Sequence, residues 1–403
     1  NLAPLTGLGI RRATGLEALQ RATLVVDGVF GTGLTRDVEG SFARALRAMD
    51  GARAPLVALD LPSGVDADTG QVRGIAPRAA LTCTFAAMKP GLAQHPGRGL
   101  AGEVVVVALG VPGPRAGRRG IVEEVDVARW LPPRSGDAHK GRAGHLLVLG
   151  GVAETSGAAR LSARGALRAG AGRVTLGRRG PAAPSALPEL MSAATPTLDA
   201  AREALQRMQA GVLGPGFGLD EAGRALALAL ARDAELPLVL DADALTALAD
   251  AGGLEALRGA APRVLTPHPG EASRLLGVPT AEVQADRHGA ARELARRSVQ
   301  VVALKGAGTV VAGPEGDEHV VLRGTPALAV AGSGDVLAGV VGACLAQGLD
   351  PLEATSAAVW LHAAAGERAA EGADRGILAG EVADALPRVL AGLDAARDHA
   401  ARR

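Results

Sequence analysis

The chain contains no tyrosine, and phenylalanine and tryptophan together bring its aromatic content to only 1%. Neither tyrosine chemistry nor an aromatic platform for single-stranded nucleic acid is expected of it, and its core must be aliphatic. Cysteine is equally scarce: Cys83 and Cys344 stand far apart, with no CxxC and no Cys/His spacing that would hold zinc. Both are expected to be core thiols in a reducing, cytoplasmic compartment. An excess of charge of one sign is also missing. The net charge is +1 and the basic residues are scattered, apart from the closing ARDHAARR, so nucleic acid is not the expected partner. The uncharged run 336–349, bracketed by Asp335 and Asp350, falls short of the ~20 residues a membrane span needs. It reads as a helix buried in a core, and no membrane partner is expected. The opening NLAPLTGLGI has no charged n-region and no long apolar h-region, hence no visible secretory signal. Its start at Asn1 is that expected of a fragment with an upstream part elsewhere.

What is present is a long aliphatic chain, 403 residues with 48% hydrophobic and 21% charged, enough for two or three domains. Strand-loop-helix blocks recur along it. RATLVVDGVFGTG (21–33) is a strand ending at Asp27 with a glycine turn after it; APLVALDLPSGVDADTG (54–70) repeats the pattern with Asp60 and Ser63. Ligands of open parallel sheets bind beyond the carboxyl ends of strands, so these three residues could share one crevice. Each Asp could equally be an Asx turn or helix cap; together with a hydroxyl they suggest an oxygen-lined site for a hard cation or ribose. Lys89 is expected to be an exposed lysine rather than a phosphate contact, and His95 a loop residue.

Proline, glycine and arginine crowd 111–142, which places a domain boundary near residue 120. Beyond it HLLVLGG (145–151) is a buried strand, and the small residues Ser156, Gly157 and Ala158 open a helix with Leu161 and Leu167 expected on its inner side. Those small residues suit close helix-to-sheet packing or, alternatively, a ligand near the backbone. GVLGPGFGLDEAG (211–223) supplies a third glycine loop, and PLVLDADALTAL (237–248) a strand ending at Asp241 and Asp243. In RVLTPHPGEASRLLG (263–277), prolines fix His268, which is expected to contact ligand. VQVVALKGAGTVVAGPEG (299–316) is a strand, a turn and a second strand; Lys305 and the amides of Gly306 to Thr309 could hold a phosphate, although the P-loop spacing is absent. In AGSGDVLAG (331–339) glycines gather backbone N–H groups at a helix start, a natural anion site. Asp335 inside it is either a cap or a base held beside a phosphate.

The order HKGxxGHLLVLGG, SGAA, RAGAG, GPGFG, VLDADAL, LTPHPGE, LKGAGT and AGSGDVLAG over 139–339 resembles the ribokinase-like domain of bacterial ADP-dependent NAD(P)H-hydrate dehydratases. VVDGVFGTGLTRDVEG and ALDLPSGVDADTG resemble the companion NAD(P)H-hydrate epimerase domain. The resemblance implies two three-layer α/β domains: a Rossmann-like epimerase type over 1–120, incomplete at its start, and a ribokinase-like domain with a mostly parallel sheet over 121–403. It also implies repair of nicotinamide cofactors hydrated at ring carbon 6. The epimerase interconverts the two epimers, and the dehydratase removes water from the S form, turning ADP into AMP and phosphate. Carried over by motif, hydrate contacts fall on Ala158, Gly216 or Gly218, His268 and Asp335, the last as catalytic base. Nucleotide contacts fall on Lys305, Gly306, Ala307, Gly308, Thr309 and Gly334. Epimerase substrate contacts fall on Gly31, Thr32, Gly33, Leu34, Thr35, Arg36, Asp37 and Asp60, with potassium on Asp27 and Ser63. Magnesium accompanies the nucleotide, and a homo-oligomer fits the superfamily.

One departure stands out: nothing before residue 27 matches the family's NGGDG-type loop, so the epimerase domain either lacks its beginning here or is degenerate. The alternatives are a sugar or vitamin kinase of the same superfamily and a non-catalytic nucleotide sensor. LTPHPGE with KGAGT leans against the kinase, and an acid kept within the glycine nest leans against the sensor.

Overall fold

A computed structural model describes residues 13, 15–110, 118–131, 133, 143–152, 155–180 and 187–401, without side chains from 395 onward. The chain divides into two compact units, 1–117 and 118–403.

In unit 1 the parallel strands β1 (Val25–Asp27), β2 (Leu56–Leu59), β3 (Leu81–Phe85) and β4 (Glu103–Val107) lie side by side in chain order. Right-handed crossovers between strands added in one direction all fall on the same face. Val25, Leu56 and Ala58 are buried on that face, and Val104 packs with Ala101 there. On the other, Val26 is 53% exposed, Leu59 38% and Val105 42%, so among the described residues this sheet has one covering layer rather than the two expected. Cys83 pairs with Leu59 on the open side and is only half-buried, unlike the core thiol anticipated; Cys344 is fully buried.

Unit 2 holds a ten-stranded sheet. Its strands are β5 (Arg119–Ile121), β6 (His145–Leu149), β7 (Arg173–Arg178), β8 (Met191–Ala194), β9 (Ala210–Leu213), β10 (Leu238–Leu240), β11 (Arg263–Leu265), β12 (Val301–Leu304), β13 (Thr309–Ala312) and β14 (Glu318–Val321). Their order is β5-β14-β13-β12-β11-β10-β9-β6-β7-β8, and every pairing is parallel except those of β13. Side chains alternate across a strand, and β6 makes the layering plain. Leu146 and Val148 enter a core built with the helices Ser156–Arg168, Ser333–Ala346 and Pro351–Ala370; Leu147 and Leu149 enter another with Glu221–Asp233 and Asp243–Asp250. With helices on both faces, the strands need no polar side and read as continuous apolar runs.

The Ser333–Ala346 helix lies against the sheet so closely that a Cβ on Gly342 would stand 2.6 Å from Val212. On its other side it meets the Ser156–Arg168 helix. A Cβ on Gly339 would press the Ser162 backbone, 2.7 Å from its carbonyl carbon, and one on Gly165 would stand 2.6 Å from Val336 O. Only small side chains fit such a crossing. The buried face of Ser156–Arg168 is therefore Ala159, Ser162, Ala163, Gly165 and Ala166, while Leu161 and Leu167, expected inside, are half-buried at its edges. Among the described residues no helix is long and apolar enough to cross a membrane.

Candidate active site

In a parallel sheet the loops beyond the strand carboxyl ends collect at one rim, and in unit 2 the β9 to β12 loops meet the start of the Ser333–Ala346 helix there. Asp241 follows β10 and is 2% exposed. Its Oδ1 accepts from Thr266 Oγ1 at 2.8 Å and from Lys305 Nζ at 2.8 Å. Lys305, at the end of β12, has Glu271 Oε2 at 3.8 Å and lies 3.3 Å from where a Cβ of Gly334 would stand. One ammonium thus serves several carboxylates. Burial opposes its charge, but Asp241 and Glu271 hold the Lys305 pKa above its ordinary value. A Cβ at 334 would press this ammonium by a few tenths of an ångström.

Asp335 lies in the first turn of the helix behind Gly332, whose φ of 87° is available to glycine at little cost. Burial, then the Asp241 charge, pushes the Asp335 carboxyl up to about 6 against the pull of Lys305. A carboxylate so tuned is ionised at neutral pH yet basic enough to accept a proton. Ser333 N–H already donates to Val330 O at 3.3 Å, so that amide of the helix start is already spent. Ser333 Oγ lies 3.1 Å from Nε2 of buried His362, whose pKa burial lowers to about 4.

His268 caps the Pro269–Leu276 helix. Its Nδ1 accepts from Gly270 N at 3.0 Å and Glu271 N at 3.3 Å, and Glu271 Oε2 accepts from His268 N at 2.7 Å, a capping box. An accepting Nδ1 leaves the proton on Nε2, and the ring is 55% exposed, so the imidazole offers a donor to the rim. Partial burial and the Lys305 charge lower its pKa, which keeps it neutral. Burial raises Glu271 to about 7.

The GPGFG loop is pinned from three directions. Thr155 Oγ1 donates to Gly216 O at 2.9 Å, Arg179 to Phe217 O at 3.1 Å, and Gly218 N to Asp243 Oδ2 at 2.8 Å. Ala158 is half-buried on the first turn of the Ser156–Arg168 helix. The turn after Lys305 closes on itself, Thr309 Oγ1 donating to Gly306 O at 3.0 Å, with Gly306 and Ala307 exposed and Gly308 buried. Beneath it lies a residue the motifs did not indicate: Arg287, 6% exposed, donates to Leu304 O at 3.1 Å and Lys305 O at 3.3 Å. Its charge in a predominantly polar helix reads locally as solvated, and only the fold turns it inward. Asp241 and Asp243, noted as strand-end acids, prove to hold the lysine and the glycine loop. His139 and Lys140 of the first motif lie outside the described residues.

In unit 1, Asp27 is fully buried and spends both oxygens internally, Oδ1 accepting from Ser63 Oγ at 2.6 Å and Oδ2 from Ser63 N at 2.7 Å. Ser63 Oγ in turn accepts from Phe30 N at 2.8 Å. The Gly31–Asp37 segment is mostly exposed, and a Cβ on Gly31 would stand 3.7 Å from Asp60 Oδ2. Lys89 is not the exposed lysine expected. It is 16% exposed and forms an ion pair with Asp60 Oδ1. Among the described residues no three His, Cys, Asp or Glu side chains gather as for a metal.

A sheet with helices on both faces, a glycine-lined helix start and a lysine turn beside it define unit 2 as a ribokinase-like α/β domain. The comparisons agree with that class and narrow it. A family model described as NAD(P)H-hydrate dehydratase matches residues 146–388, and one described as YjeF-related protein N-terminus matches 7–91. The chain is 40% identical to the bifunctional NAD(P)H-hydrate repair enzyme Nnr of Moorella thermoacetica, covering 94% of this chain and 74% of that one. It is 39% identical to the Escherichia coli enzyme of the same name, covering 91% and 71%. Among solved structures, the ADP/ATP-dependent NAD(P)H-hydrate dehydratase of Bacillus subtilis, co-crystallised with ATP and magnesium, superposes with a TM-score of 0.58 at 33% identity, over 71% of this chain and all of that one. The chain belongs to the bifunctional NAD(P)H-hydrate repair enzyme family, and its activity is the repair of hydrated nicotinamide cofactors by dehydratase and epimerase domains.

Proposed function

We propose that unit 2 dehydrates the S epimer of NADH or NADPH hydrate at the expense of ADP, with Asp335 as catalytic base. The observation that carries this is a carboxyl tuned to about 6, within the field of Lys305, in the first turn of a helix that starts at a glycine-rich loop. Asp335 accepts the proton of the ring hydroxyl as that oxygen bonds to the β-phosphorus of ADP, and AMP departs with the electron pair of the broken P–O bond. The amides of Gly334 and Asp335 and the Lys305 ammonium face the charge that gathers on the transferring oxygens, the kind of preorganised donor that contributes most to catalysis. The C6–O bond then breaks with phosphate taking its pair, the ring nitrogen supplies electrons, and loss of the C5 proton restores the ring double bond. His268, Ala158 and the Gly216–Gly218 loop hold the hydrate; Gly306, Ala307, Gly308 and Thr309 hold the nucleotide. Magnesium bound with the nucleotide would neutralise phosphate charge.

For unit 1 the reading is epimerisation of the R and S hydrates, with Gly31 to Asp37 and Asp60 on substrate; β5, near the boundary expected at residue 120, belongs to unit 2. Potassium would rest on Asp27 and Ser63, oxygen donors that already lie together and suit a hard cation. Two cysteines that are both free fit a cytoplasmic enzyme. The test is Asp335→Asn with NADH hydrate and ADP. Recovery of reduced-nicotinamide absorbance and release of phosphate should both vanish while ADP still binds. Undiminished turnover would remove Asp335 as the base, and phosphate transfer without absorbance recovery in the wild type would make the domain a kinase.

A further inference from the structure

Asp60 follows β2 with φ 73°, a region that ordinarily costs a residue with a Cβ about 1–2 kcal/mol. Its neighbours hold it there. Asp60 N donates to Cys83 O at 2.8 Å, and Oδ1 accepts from Phe85 N at 3.1 Å and Thr84 Oγ1 at 3.4 Å. Lys89 Nζ completes the set with a short bond to the same Oδ1 and is itself steered by donating to Phe85 O at 2.7 Å. All three bonds that the Asp60 carboxylate accepts fall on one oxygen. The other, Oδ2, is left facing Gly31 at the head of the exposed Gly31–Asp37 segment. Burial works to raise the Asp60 pKa, but Lys89 and the Phe85 amide hold it below the ordinary carboxylate value.

We propose that Lys89 is a positioning residue for epimerisation: it fastens Oδ1 of Asp60 so that Oδ2 meets the hydroxyl of the hydrated ring. This rests on the epimerase reading of unit 1. Inverting a carbon that bears both hydroxyl and nitrogen requires one of its bonds to open and close again. Asp60 takes the hydroxyl proton, the oxygen pair forms C=O, and the C–N bond breaks with its pair on the ring nitrogen, which is conjugated to the carboxamide. After rotation the nitrogen adds to the other face and the proton returns from Asp60. Nothing is consumed, and the lysine stays charged throughout.

The experiment uses the full chain, a mixture of R and S hydrates and excess ADP, with absorbance followed over time. The dehydratase consumes S directly, and R disappears only as fast as it is epimerised. Lys89→Met should leave the S phase intact and slow the R phase about a hundredfold, in kcat rather than KM, with Lys89→Arg restoring part of the rate. Carbon-13 NMR titration of the Asp60 carboxyl should move upward in Lys89→Met, which a role in packing alone would not produce. An unchanged R phase, or an Asp60 titration that stays put, overturns the role of Lys89. A wild-type R phase no faster than in protein-free buffer overturns the epimerase reading itself, and this role with it.

Discussion

Removing the proposed base should make the protein more stable, not less. Asp335 has a folded pKa of about 6 against an ordinary 3.8, so the folded chain binds its proton more tightly than the unfolded chain. Between those two values the folded state still holds a proton that the unfolded state has released. Stability therefore falls as pH rises through this window, and above about 6 the whole deficit is present. At ~1.36 kcal/mol per pKa unit the deficit is about 3 kcal/mol, and partial access to water reduces it to roughly 1–3 kcal/mol. Asparagine carries no charge to desolvate, so Asp335→Asn should recover that amount at pH 8, a rise in Tm of roughly 2–6 °C, and almost none near pH 4. Trp130 and Trp360 are the only tryptophans and both lie in unit 2, so their fluorescence follows the melting of this unit alone. Glu271, raised to about 7, titrates in both proteins and drops out of the difference. A variant no more stable than wild type at pH 8, or equally stabilised at pH 4, would refute the claim that the site holds its base at the expense of stability.

Gly339→Ala sets helix propensity against packing. Propensity favours alanine by ~1 kcal/mol, but the new Cβ would press the Ser162 backbone, and overpacking costs about 1–3 kcal/mol. A lower Tm by tryptophan fluorescence is expected, together with reduced turnover because this helix carries Asp335; a raised Tm would count against the close crossing. Asp241→Asn removes a charge that raises the Asp335 pKa and competes for Lys305. The acid limb of kcat/KM for dehydration, which requires ionised Asp335 and lies near 6 in the wild type, should move to lower pH, and a limb unmoved or moved upward would contradict the shared-lysine arrangement.

Features that depend on short stretches could be read from the sequence. Strand ends with glycine loops announced the rim around Asp241, His268 and Lys305, and the strand-turn-strand at 299–316 became the β12–β13 hairpin because nothing distant overrides a two-strand turn. Features that depend on what lies across the fold could not be read. Leu161 and Leu167 were expected inward on hydrophobicity, but the partner helix approaches too closely for them, and the smaller residues beside them take the buried face. Lys89 looked solvated because its partner Asp60 belongs to another strand, in a backbone conformation that no propensity favours. Arg287 carries its charge beneath the Lys305 turn by donating to main-chain carbonyls, a contact without any sequence signature.

The two units use the same pairing of lysine and acid to opposite ends, and the difference is one of number. In unit 1, among the described residues, Lys89 pairs with a single acid, Asp60, and the carboxyl is held below its ordinary value. In unit 2 Lys305 is shared among Asp241, Glu271 and Asp335. Asp241, most deeply buried and directly bonded at 2.8 Å, claims most of it, and its remaining negative field bears on the other two. Glu271 and Asp335 are thus left near neutrality as groups that can gain or lose a proton. A fourth charge arriving as phosphate would draw the ammonium from Asp241 at the moment Asp335 must accept its proton. The position of the lysine, not its presence, then sets the basicity of the site.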